Sequence, residues 1–541
     1  MLDVLIRGGL VLDGSGSPGR VADVGIAGGR IVSVGRADPV ERAARVIDGG
    51  GLMVAPGFID MHSHADYTLP AYPDALNSLA QGVTTEVIGN CGFTPAPLAD
   101  DPALAEATRL AGRGLGPSLD WAWRSFGSYL DQLDAARPAV NCIPLVGHGT
   151  IRHAVMGAED RPATEDERAA MREVLAAALT EGAWGMSTGL VYPPGSFAAT
   201  DEIVAIGEPL RAIDGIYFSH IRNESDRLDA ALLEAVDVGR QLGIRVQVSH
   251  IKTAGIEYHG RMPAALALLD AARASGVAVT QDVYPYIAAS TLLNQLIPPW
   301  VHEGGNAHLV ARLRSSSVRQ RIAAEVRTGL PGWPNYIASS GGWSAIIIAA
   351  VVDPGLRHLE GQRIDEAAAR AGVDPLELVF DTLVADQGST AMIMFMMDAA
   401  DVDLAIAHPS SAIGSDQFGV VSPTARVHPR AYGSFVRVLA GAVRQRGVLD
   451  LPTAVHRMTG LPAQIMRLPD RGRLSPGAIA DVVVFDAATV TDRATFQEPT
   501  LLPVGIEAVV VNGHLAMYRG DALDARAGHV LRRGQASTLP A

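Results

Sequence analysis

The sequence predicts an α/β protein, a (β/α)8 TIM-like barrel carrying a small β-sandwich domain built from both termini. Three observations predict it. Short apolar runs broken by Gly-Gly turns open the chain and return near its end. Between them, helical stretches alternate with buried strand-like runs about every thirty residues, the rhythm of a parallel α/β sheet. Polar residues stand at the ends of successive runs, and barrel chemistry sits at the C-terminal ends of the strands.

The opening β unit reads Val4-Leu5-Ile6, Gly8-Gly9, Leu10-Val11-Leu12, Val24-Gly25-Ile26, Gly28-Gly29 and Ile31-Val32-Ser33-Val34. Its texture returns at 481–486 and 509–513. An isolated ribbon would leave an apolar face wet, so the two segments are expected to assemble into one domain, residues 1–56 with 466–541. Residues 57–465 are then the barrel.

Within the barrel, Thr164 and Glu167 form a capping-box pattern ahead of Met171, Val174, Leu175, Ala178 and Leu179, which predicts a helix ending near Gly182. Residues 215–220, 243–250 and 276–284 each place a Gly before a β-rich run that closes on His220, His250 or Tyr284. A further strand is expected at 404–407, leading through a loop to Asp416. The pattern loosens over 287–344, rich in Gly, Pro and Trp, which reads as an insertion near the mouth of the barrel, a lid or a plain surface loop.

Composition removes several function classes. With 541 residues, 48% hydrophobic and 19% charged, the chain can bury a large core, which excludes disorder and a disulfide-stapled miniprotein. A formal charge of -14 without a basic run argues against nucleic acid, which needs clustered Lys and Arg. Cys91 and Cys142 make no disulfide framework and fit a reducing, cytoplasmic setting. No basic and apolar leader opens the sequence, and runs such as 345–352 are too short to span a bilayer, so no membrane association is expected.

Candidate chemistry gathers at the expected strand ends. His62 and His64 share one face of an extended segment and can reach one metal, although an HxH pair alone is also consistent with two unremarkable histidines. His220 and His250 close two further runs. Cys91, between Asn90 and Gly92, is either a thiolate ligand or a small buried side chain. Asp416, in Ile413-Gly414-Ser415-Asp416, can ligate a metal and shuttle a proton, or cap a turn. Gly185-Met186-Ser187-Thr188-Gly189 matches GxSxG, but a nucleophile elbow must open a helix, and the following Tyr192-Pro193-Pro194 cannot. His148 reads as a loop histidine outside the site.

The ordered series APGFIDMHSHAD, QGVTTEVIGNCGFTPAP, STGLVYPPGS, YFSHIRNES, QVSHIKTAG, DVYPYIAAST and HPRAYGSFVRVL resembles the N-acyl-D-amino-acid deacylase family of the amidohydrolase superfamily over almost the whole chain. The resemblance implies zinc, with a tight site at Cys91, His220 and His250 and a weaker second site at His62, His64 and Asp416. It implies Asp416 as the catalytic acid-base, and Lys252, Tyr284, Ser290 and Arg430 as contacts to the carboxylate of a small N-acyl amino acid. The implied reaction is zinc-dependent hydrolysis of the amide bond of N-acyl-D-amino acids. A D-residue-containing peptide or a cyclic amide such as a hydantoin is the alternative substrate, and a non-catalytic metal-binding protein the alternative class. One departure stands out: Gln417-Phe418 follows the aspartate where relatives carry Gly, which is expected to reshape the pocket beside the base.

Overall fold

The structure is a computed structural model and describes residues 1–37, 42–113, 119–418 and 426–535. Its centre is a ring of eight parallel strands. In chain order they are Phe58–Asp60, Val83–Ile88, Asn141–Pro144 continued by Val146–Gly147, Gly185–Gly189, Ile216–His220, Arg245–Val248, Val279–Val283 and Ser411–Ile413. The eighth closes on the first: the Met61 amide donates to the Ile413 carbonyl at 3.2 Å, and the Asp416 amide to the His62 carbonyl at 2.7 Å.

Local chemistry explains why these segments alternate. Helix Glu165–Thr180 starts on the reciprocal Thr164 and Glu167 capping box. Helix Leu228–Leu242 ends at Gly243, whose left-handed φ of 64° turns the chain into the sixth strand at no steric cost. Ile59, Val87, Ile143, Phe218 and Ala412 fill the barrel interior together with Leu461, Ile465 and Met466 of helix Gly460–Met466. Arg245, the first residue of its strand, donates to the Ile465 carbonyl, so this helix closes the N-terminal mouth and leaves the opposite one for chemistry.

The terminal segments form one nine-stranded sheet that includes Leu2–Val11, Arg20–Ala27, Arg30–Gly35 and Met53–Pro56 with Val482–Phe485, Ile506–Val511 and His514–Tyr518. The sheet folds back on itself: Ile31 donates to the Ala478 carbonyl and Ala480 to that of Gly29, each at 2.9 Å. Val24, Ile26 and Ile31 are thereby buried with Val482, Val484 and Val510 in a separate core.

Two expectations need correction. Residues 404–407 belong to helix Ala399–Ala407, not a strand, because Asp398 caps the amides of Ala400 and Asp401; the strand is Ser411–Ile413. The excursion between the seventh and eighth barrel strands also runs well past residue 344. It holds a three-stranded antiparallel sheet, Ala288–Leu292, Ala391–Phe395 and Ile346–Ala350, whose pairings across about a hundred and about forty-five residues leave no local signal. Among the described residues, no helix is long and apolar enough to cross a membrane.

Candidate metal centre

Five strand ends converge at the open mouth. The Cys91 sulfur lies 3.3 Å from His62 Nε2 and 3.4 Å from His250 Nε2. Asp416 Oδ1 lies 3.5 Å from His62 Nε2 and 3.2 Å from His64 Nε2. One possible ligand atom from each of His62, Cys91, His250 and Asp416 falls within 4.8 Å of the others. A second group of the same tightness joins His220 and His250 to Glu224, an acid the sequence reading did not select. His220 and His250 face each other edge on, with ring centroids 4.4 Å apart.

The backbone is bent to achieve this. Cys91, His250 and Asp416 have φ of 53°, 36° and 52°, a left-handed region that costs a non-Gly residue on the order of 1 kcal/mol or more. Each turn aims its side chain across the barrel mouth instead of along the strand. Strain of this kind persists where the surroundings overdetermine it. Here the Ser187 hydroxyl clamps the Cys91 turn, accepting from the Gly92 amide at 3.0 Å and donating to the Gly89 carbonyl at 2.5 Å. Ser187 lies within the fourth barrel strand and is fully buried.

The donor set fits a metal. Neither ring nitrogen of His220 has a hydrogen-bond partner although both are buried, Glu224 Oε2 lying 3.7 Å from Nε2, and such an imidazole is costly unless something binds it. Burial, reinforced by Lys252, holds the His250 imidazole well below its ordinary range, as burial does for His220, so both rings are neutral donors. Sulfur and imidazole nitrogen in this combination suit zinc. Charged groups flank the outer nitrogens: Asp282 Oδ1 lies 3.3 Å from His62 Nδ1, while Lys252 Nζ at 2.7 Å and Glu224 Oε1 at 3.2 Å stand at His250 Nδ1.

Two cations border this cluster. Arg430 Nη1 lies 2.7 Å from Asp416 Oδ2, and Lys252 Nζ lies 2.6 Å from Glu224 Oε1. Burial opposes ionisation of Asp416, but Arg430, with His250, His64 and His62, outweighs it and holds the carboxyl well below the usual range. Burial likewise opposes charge on Lys252, and Glu224 overcomes it. The Tyr284 ring lies under both cations, 4.9 Å from the Arg430 guanidinium carbon and 5.7 Å from Lys252 Nζ. Its buried hydroxyl has no partner. Ser290 faces the same cavity, its hydroxyl donating to the Met392 carbonyl at 2.9 Å.

Gln417 and Phe418 part company. Phe418 lines the cavity and stacks on His64, with ring centroids 4.5 Å apart and an interplanar angle of 10°. Gln417 turns away into the barrel, accepting from Asn77 Nδ2 at 2.7 Å and lying against Glu86. His148 is no loop residue: it opens helix His148–Met156, fully buried, with Nε2 3.7 Å from Glu202.

A polar, metal-competent mouth on a parallel barrel is shared by many enzymes, and comparison with known proteins narrows the field. The model of the amidohydrolase family matches residues 45–516. The chain belongs to the amidohydrolase family. This amidohydrolase is 39% identical to a D-aminoacylase of Alcaligenes xylosoxydans xylosoxydans, over 98% of each chain. It is 38% identical to an N-acyl-D-aspartate deacylase of the same organism, over 99% of this chain and 96% of the other. The structure of an N-acyl-D-glutamate deacylase of Bordetella bronchiseptica, complexed with zinc and a phosphonate mimic of the tetrahedral intermediate, superposes with a TM-score of 0.82. That match is 37% identical and covers 98% of this amidohydrolase and 99% of the relative.

Proposed function

We propose that this amidohydrolase hydrolyses the amide bond of N-acyl-D-amino acids, releasing a carboxylate and a free D-amino acid. The observation that carries the reading is the convergence of Cys91, His62, His250 and Asp416 at strand ends, in a chain similar over its full length to deacylases of this class. Cys91, His220 and His250 would hold one zinc tightly, and His62, His64 and Asp416 a second more weakly, with Cys91 shared. When bound, zinc supplies Lewis acidity, acidifying water and polarising a carbonyl.

The chain's own residues do the rest. Asp416, ionised at neutral pH, accepts the proton of the attacking water on a carboxylate oxygen and delivers it to the departing amine nitrogen. Arg430 keeps that carboxylate oriented, its Nη2 donates to the Ser290 carbonyl at 3.4 Å, and a further N–H would be left for the substrate carboxylate. Lys252 and the Tyr284 hydroxyl fix the substrate carboxylate, and Ser290 borders it. Buried cations explain how a protein of formal charge -14 accepts an anion.

The test is a panel of N-acetyl-D-amino acids and their L-enantiomers, assayed with and without added zinc. Selective, zinc-dependent release of D-amino acids is expected. Asp416→Asn should lower kcat by about 10³-fold or more while zinc at the tight site is retained, and near-normal turnover in that variant removes Asp416 from the mechanism.

A further inference from the structure

Relatives of nearly equal similarity are named for different substrates: a D-aminoacylase at 39% identity, a deacylase of N-acyl-D-aspartate at 38% and one of N-acyl-D-glutamate at 37%. Overall similarity therefore does not select among neutral, aspartyl and glutamyl side chains. The cavity does.

The cavity that reaches Cys91, His250 and Asp416 has a volume of about 190 Å³ and continues outward between helix Pro102–Gly112 and the inserted sheet. Among its described lining residues, Lys252 is the one Lys or Arg side chain. Lys252 is already neutralised by Glu224, and Arg430 beside it by Asp416. These two cations, each already paired, have one substrate carboxylate to hold in the proposed reaction, and the described lining residues offer no further Lys or Arg.

The outer chamber is instead neutral. Leu292, Met394, Met396 and Tyr336 supply apolar wall, and Thr108, His153, Asn294, Gln295 and His302 supply polar groups without formal charge. Its two histidines are tied down: His153 Nδ1 meets the Thr108 hydroxyl at 3.1 Å, and His302 Nε2 the Asn294 carbonyl at 3.1 Å. Burial lowers both imidazoles from 6.5, His302 to about 4, so neither offers a positive charge at neutral pH. A second carboxylate entering this chamber would be desolvated with no partner, whereas an amide or alkyl group would find neutral polar and apolar neighbours.

We infer that this site selects N-acyl-D-amino acids that are uncharged at both the side chain and the acyl end, and discriminates against N-acyl-D-aspartate and N-acyl-D-glutamate. The inference rests on the proposed deacylase reaction and names its substrate class. Discrimination arises from an absent countercharge, so it should separate molecules of the same shape that differ only in charge.

N-acetyl-D-glutamine and N-acetyl-D-glutamate are such a pair. With the zinc-loaded full chain at pH 7.5, kcat/KM for the glutamine substrate is expected to exceed that for glutamate by about 100-fold, the scale of leaving a buried charge unpaired. N-acetyl-D-methionine should fall with glutamine, and N-acetyl-D-aspartate with glutamate. The acyl end is tested with N-butyryl- and N-succinyl-D-methionine, the neutral chain again being preferred. Parity within either pair, or preference for the charged member, overturns the inference while leaving the deacylase reading intact. If no N-acyl-D-amino acid is hydrolysed, the deacylase reading fails first and this inference falls with it.

Discussion

Ser187 holds the turn that presents Cys91, through a 3.0 Å bond from the Gly92 amide and a 2.5 Å bond to the Gly89 carbonyl. The GxSxG match therefore has a structural use unrelated to a serine nucleophile. Ser187→Ala leaves a buried amide and a buried carbonyl without their partner, a loss of about 2 kcal/mol in denaturant unfolding. It should also loosen zinc at Cys91 by about tenfold, read by metal content after dialysis against a weak chelator. Activity should return when zinc is supplied in excess; a dead enzyme with full zinc would instead mark Ser187 as chemical.

Glu224 and Lys252 form a buried pair whose members need each other. Glu224→Gln removes the negative partner and leaves the ammonium uncompensated, which should cost about 3 kcal/mol of stability. Lys252→Met in the same background should recover much of that loss, because the orphaned charge is then gone, yet it should raise KM by removing the proposed contact to the substrate carboxylate. Urea melts of the two single variants and the double variant measure the coupling. Additive losses contradict the pairing.

Much of this cluster was legible because the side chains that gather at the barrel mouth stand at regular places beside the strand ends. His62 and His64 stand two apart, His220 and His250 each close a Gly-led β run, and Gly flanks free the Cys91 turn. Glu224 was missed because an acid in a polar stretch after a strand resembles solvent-facing loop chemistry; its one signal is the four-residue spacing from His220. Asp282 was hidden inside a strand, where alternation turns it inward beside His62. The inserted sheet was half missed, since its partners are far apart in sequence and only tertiary pairing joins them. The 404–407 error has a local origin: a short apolar run reads equally as strand or helix face, and the deciding residue was the Asp398 cap.

The departure at Gln417 bears on stability more than on substrate choice. Its side chain faces the barrel interior, among Asn77, Ser63, Ser78 and Glu86, and does not line the cavity. Gln417→Ala should destabilise by about 2 kcal/mol, by leaving buried polar groups short of partners, while KM changes less than about twofold. Phe418→Ala should do the opposite, sparing stability and altering KM, because its ring lies against His64 in the cavity wall. Chemical unfolding beside steady-state kinetics separates the two. A large KM change in the Gln417 variant would return that residue to the pocket.

His302 provides a pH handle at the outer end of the cavity, away from the metal cluster. Burial lowers its imidazole from 6.5 to about 4, with backbone contacts to Ile297 and Asn294 opposing the shift only in part. The unfolded chain therefore takes up a proton near pH 6.5 that the folded protein refuses until about pH 4. The sign follows: His302 costs nothing above pH 6.5, costs progressively more stability as pH falls toward 4, and adds no further loss below that. At about 1.4 kcal/mol for each pH unit, the full loss is about 3 kcal/mol. His302→Gln can still donate to the Asn294 carbonyl but cannot titrate, so it should become the more stable of the two proteins as pH drops. Urea unfolding of both proteins at intervals from pH 7 to pH 4 isolates this residue from the carboxylates titrating in the same range. A difference that stays flat across that interval means the folded imidazole protonates as readily as the unfolded one.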